Sequence, residues 1–158
     1  MDSLLSPAEA FAAIALAAVA CDGSVAPREA TLLRGVMEGR HPFQDRSEES
    51  MGLLFEGLLD QLQAEGWLAL ISRAIPALSA SQRETALAMA AHLIHGDRKV
   101  SAEETRLLDA MAVQMGLPDG RADQIREVIA VLHRDSLNPR SSSLAAGQAR
   151  RCSRCPNP

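Results

Sequence analysis

The feature that most constrains this chain is an internal repeat. Shifted by 75 residues, the sequence aligns Asp22-Gly23-Ser24-Val25-Ala26-Pro27-Arg28-Glu29-Ala30-Thr31-Leu32-Leu33 with Asp97-Arg98-Lys99-Val100-Ser101-Ala102-Glu103-Glu104-Thr105-Arg106-Leu107-Leu108. Asp, Val, Glu and the Leu pair coincide. An Ala-rich helical pattern precedes each Asp, and an amphipathic one follows each Glu. The repeated unit is therefore helix, short acidic loop, helix. Two such units each leave an apolar face uncovered, so they are expected to pack together about a pseudo-twofold axis.

Capping chemistry explains the shared positions. A short polar side chain where a helix ends can accept a hydrogen bond from the backbone two residues on, which suits Asp22 and Asp97. Val25 and Val100 lie just before the cap, where an apolar residue can staple the incoming chain to the next helix. Glu29 and Glu104 take the third helical position, from which a carboxylate returns a hydrogen bond to the cap. Ser101 supplies the reciprocal hydroxyl, worth about 1 kcal/mol. Ala26 cannot, and Pro27 offsets part of that loss by presetting the first turn.

The same signals recur along the chain. Ser6-Pro7-Ala8-Glu9 opens a helix to about Cys21, and Pro27 opens a second with Leu32, Leu33, Val36 and Met37 on one face. Gly39 and Pro42 end that helix, and 39–46 is a polar connection. Ser47 caps a third with a Met51, Leu54, Phe55, Leu58, Leu59 and Leu62 stripe, broken at Gly66. Trp67–Ile75 reads as a short fourth helix, bent or ended by Pro76. Ser79 or Ser81 caps a fifth that runs to Gly96. Ser101 opens a sixth, with Leu107, Leu108, Met111 and Met115 inward. Residues from about Arg121 to His133 form a seventh, with Ile125, Val128, Ile129 and Leu132 as its apolar edge. No segment alternates as a half-buried strand would. The expected fold is all-α, a compact bundle of about seven helices built from two helix-loop-helix repeats. It occupies residues 1–138, followed by a disordered basic tail over 139–158.

Composition agrees and narrows the function. The chain has 158 residues, one domain's worth, and 3% of them are aromatic, which favours closely packed helices over sheets. Twelve of the 16 basic residues and all 20 acids precede position 139, so the body carries −8 and the tail +4. An acidic body argues against nucleic-acid binding, which needs clustered Lys and Arg. The longest apolar run, Ala10–Cys21, is far short of the roughly 20 residues that span a bilayer. Its flanks carry Asp2 and Glu9 where a signal peptide carries basic residues, so a cytoplasmic location is expected. Three cysteines form no disulfide framework.

The stretch Ala20-Cys21-Asp22-Gly23-Ser24-Val25-Ala26-Pro27-Arg28-Glu29 with its Leu pair resembles the first helix junction of the TerB-like tellurite-resistance domain. Gly96-Asp97-Arg98-Lys99-Val100-Ser101-Ala102-Glu103-Glu104 with Leu107-Leu108-Asp109 resembles the second. The resemblance spans about Ser6 to Leu132. It implies a compact helical cytoplasmic protein without catalysis, associated with tellurite resistance and with responses to phage and membrane stress. Protein partners, with peripheral membrane association as a further option, follow from the same resemblance. Arg98-Lys99 departs from the Gly-plus-polar pair of the first copy, and the Cys-bearing tail has no expected counterpart.

For such domains a divalent cation at the acidic junctions is the sharp expectation, with Asp22, Glu29, Asp97, Glu103 and Glu104 as its ligands. A hard cation takes six to eight oxygens, more than one loop offers, so both loops would have to contribute. Capping alone also accounts for each of these residues. His92 and His95, three apart on one helix and followed by Asp97, hold part of a transition-metal set but lack an obvious third ligand. Cys21 reads as a small core residue. Cys152 and Cys155 form a lone C-x-x-C, half of a structural zinc site. No phosphate loop or nucleophile arrangement is present, so no enzyme is expected.

Overall fold

The computed structural model describes residues 4–96 and 99–134. Among these lie six α-helices and no strand: α1 (Pro7–Ala20), α2 (Pro27–Glu38), α3 (Glu48–Ala74), α4 (Ala80–His95), α5 (Ala102–Gln114) and α6 (Arg121–Leu132). The all-α expectation holds. The expected break at Gly66 is present: its backbone is non-helical, with φ 83° and ψ 162°, so α3 is two helical arms joined at a kink, and the count of six takes them as one helix. Only glycine adopts that conformation without strain. Arg73 ties the two arms together, reaching back across the bend to Gln61 (3.0 Å) and Glu65 (2.9 Å).

The Ala-rich first helix is the centre of the molecule. Ala10 and every residue from Ala12 to Ala20 are buried, and no polar side chain interrupts them. A helix apolar on all sides has to be surrounded. Its alanines let α3 and α4 approach it closely, and Leu58, Leu62, Leu70 and Ile71 from α3 and Leu87, Leu93 and Ile94 from α4 belong to one core built around it. Each fully buried Leu or Ile contributes roughly 1.5–3 kcal/mol. The connection after α2 is less polar than expected: Phe43 lies in a 3-10 turn, Phe43–Asp45, and is buried.

Helix starts follow the local chemistry. Full capping boxes form at Ser6 with Glu9, Ser79 with Gln82 and Ser101 with Glu104. Ser79 thus resolves the choice left open with Ser81, and Glu84 is free for another role. Ser47 caps α3 through the Ser50 amide at 3.2 Å. Arg83 stitches the end of the bent segment, donating to the carbonyls of Ile75, Leu78 and Met115. The Ile75 carbonyl also accepts from the Leu78 amide, and those of Leu78 and Met115 lie just past helix ends, where carbonyls lack an intrahelical partner.

Two expectations about apolar residues are corrected. Val128 and Leu132 of α6 are 67% and 69% exposed; only Ala122, Ile125 and Ile129 pack on the core. Helix α6 sits at the rim, too far out for a second row of side chains to be covered. Val100 is also exposed and does not staple, whereas Val25 does pack against the core.

Candidate functional site

The first junction is built as its residues dictate. Asp22 Oδ1 accepts from the Ser24 amide at 2.9 Å and from the Ser24 hydroxyl at 3.0 Å, closing a turn in which Gly23 has φ 90°. Glu29 Oε2 accepts from the Ala26 amide at 2.7 Å; Ala26 returns nothing. In the second junction Glu104 accepts from the Ser101 amide at 2.6 Å, and the Glu104 amide donates to the Ser101 hydroxyl at 3.1 Å. Glu103 does something capping did not foretell. It accepts from the indole N–H of Trp67 at 2.8 Å and pairs with Arg106 at 3.2 Å, tying α5 to the second arm of α3. Asp97 lies outside the described residues.

The two junctions meet. A cleft of about 340 Å³ is lined by Ala18, Val19, Arg28, Glu29, Leu32, Leu93, Gly96 and Glu104, so the repeat-related glutamates share one wall-to-wall space. Residues of each copy bear on the other. Leu32 of α2 lies over Gly96 at the end of α4, and the Glu104, Asp22 and Glu103 carboxylates act on Cys21 at the end of α1. Gly96 is the 75-residue counterpart of Cys21. Cys21 is half-buried rather than fully in the core, and burial first, then those carboxylates, push its thiol up to about 11. It is an unreactive thiol at neutral pH. Among the described residues no three His, Cys, Asp or Glu side chains are arranged to hold a metal ion.

The histidine expectation gains a member. His133, at the end of α6, points its Nε2 at His92 Nδ1, 2.9 Å away, and its ring stacks near His95 with centroids 6.0 Å apart. Spacing within one helix could not reveal it, because His92 and His133 are 41 residues apart. The one available signal was that the seventh helix also ends in a histidine.

A second and larger groove, of about 780 Å³, opens between α2, the 3-10 turn and the first arm of α3. Leu33, Phe43, Met51, Phe55 and Leu59 form its apolar floor. Arg34 crosses its edge, paired with both Glu38 and Glu48.

The family model for tellurite resistance protein TerB matches residues 8–127, from the first turn of α1 into α6. The chain belongs to the TerB family. Both repeat junctions and the cleft between them fall inside the matched span, so TerB membership covers the geometry above and leaves out only the end of α6 with His133. The chain matches no curated protein and no solved structure. No helix among the described residues is long and apolar enough to cross a membrane.

Proposed function

We propose that this TerB-family chain is a non-catalytic, cytoplasmic stress-response module of the tellurite-resistance type that works by holding protein partners. The groove between α2 and the first arm of α3 carries this reading. Its apolar floor with a charged rim of Arg34, Arg46, Glu38, Glu48 and Glu56 is what an amphipathic helix needs to dock. Met51 and Phe55 are only partly covered by the protein's own side chains, as residues awaiting a partner would be. A photo-crosslinking amino acid in place of Phe55 should yield a discrete protein adduct in extract from the native cell. Met51→Glu should abolish that adduct. An adduct unaffected by Met51→Glu, or none at all, would remove the groove from the function.

A divalent-cation sensor is the second reading, favoured by Glu29 and Glu104 lining one cleft. Against it, both carboxylates are already engaged at helix caps. Under this reading Ca²⁺, Mn²⁺ or Zn²⁺ raises the melting temperature, and Asp22→Ala combined with Asp97→Ala removes the rise. A melting curve unmoved by saturating cation ends it.

A further inference from the structure

Helix α6 is held unlike the other five. None of its residues is buried. At its start Arg121 grips Glu84 of α4 through two hydrogen bonds, 3.0 and 2.9 Å, and midway Arg126 pairs with Asp109 of α5 at 2.8 Å. At its end the hold is a single imidazole-imidazole hydrogen bond, His133 to His92, with ring centroids 4.8 Å apart. Val131 and Leu132 are largely exposed, so Ile129, which packs on the core, is the last apolar anchor of α6 before that bond.

We propose that the His92–His133 pair is an acid-sensitive latch that keeps the end of α6 on α4 and releases it on mild acidification. One proton can be shared between two imidazole nitrogens 2.9 Å apart, one ring donating and the other accepting. A single added proton keeps such a bond, but once both rings are protonated each facing nitrogen carries a hydrogen, leaving two cations with no acceptor between them. The surroundings favour release. Arg40, beyond the end of α2, and Arg126 of α6 add positive charge near the cluster, and Glu104 of α5 is the carboxylate that opposes them at His95. The segment of α1 packed against α4 carries no charged residue between Ala10 and Ala20.

The direction of the pH effect follows. Burial, then the His133 ring, then Arg40 hold His92 below its ordinary value of 6.5. A histidine lowered in this way binds fewer protons docked than undocked. Its contribution is complete above about 6.5 and is lost as pH falls below that value. The repeat core, whose central helix has no titratable side chain from Ala10 to Ala20, stays folded while the end of α6 opens.

Hydrogen exchange of the full chain, corrected for intrinsic rates, tests this between pH 7.5 and 5.5. Amides of 129–134 should lose protection by up to about tenfold per pH unit while those of α1 keep theirs. His133→Leu should abolish the pH dependence, and His133→Lys should show at pH 7.5 the exchange that the wild type reaches at 5.5. His41→Asn, which removes the remaining histidine outside the cluster, should behave as wild type. Ring ¹⁵N shifts of the unmutated chain should show His92 gaining its second ring proton below pH 6.5 as its hydrogen bond to His133 is lost. Flat wild-type protection at 129–134, or a pH slope surviving in His133→Leu, would overturn the latch.

Discussion

Replacing Gly96 with alanine places a methyl group where Leu32 already lies. The added Cβ would stand 2.4 Å from Leu32 Cδ2 and 3.1 Å from the Leu93 carbonyl oxygen. Carbon atoms rest about 3.5–4.0 Å apart, so Leu32 has to retreat by roughly 1 Å or more. Gly96 has φ −65° and ψ −25°, a conformation alanine adopts readily, and the exchange by itself should stabilise by up to about 1 kcal/mol. Overpacking costs about 1–3 kcal/mol. The steric term wins, and Gly96→Ala is expected to destabilise by about 1 kcal/mol. Leu32→Ala, at a half-buried position, should cost about 1–2 kcal/mol. In the Leu32→Ala background the methyl has room, and Gly96→Ala should become neutral or stabilising. Urea unfolding of the four proteins gives the coupling, expected at about 1–2 kcal/mol. A double mutant whose loss equals the sum of the single losses within about 0.5 kcal/mol would mean that α2 does not bear on the end of α4, and the contact between Leu32 and Gly96 would be wrong.

Ser101→Ala removes the hydroxyl that accepts from the Glu104 amide and should lower stability by about 1 kcal/mol in the same assay, whereas an unchanged midpoint would reject the helix start at Ser101. Glu84 is held below the ordinary carboxylate value by its hydrogen bonds to Arg121. Its support for α6 is therefore present above pH 4.5 and lost as pH falls through the lowered value. The melting temperatures of wild type and Glu84→Gln should differ at pH 6 and converge toward pH 3; a difference that stays constant with pH would exclude the Arg121 pair as its source.

Much of the fold was legible because it is locally encoded. Ser6, Ser47, Ser79 and Ser101 each reach a backbone amide three residues away, so spacing alone located three helix starts and narrowed a fourth to Ser79 or Ser81. Gly66 was legible as a break; that Arg73 of the second arm reaches back to Gln61 and Glu65 of the first was not, because it depends on the angle of the kink. The apolar stripe of α6 misled for a related reason: periodicity shows which side of a helix is apolar, and the position of the helix at the rim decides how much of it is covered. Glu103 was read with the capping acids, yet its partner Trp67 comes from 36 residues upstream.

By itself the sequence determined the helical class, most of the caps, the doubled unit and its kinship to the TerB family, since all of these live in short-range patterns repeated at a constant offset. Tertiary structure decided that Glu29 and Glu104 share a cleft, that Leu32 rests on Gly96, that Met51 and Phe55 line an open groove, and that His133 meets His92. Those meetings depend on how helices cross. A rotation of one helix by a single residue's worth of turn, about 100°, would undo any of them while leaving every cap intact.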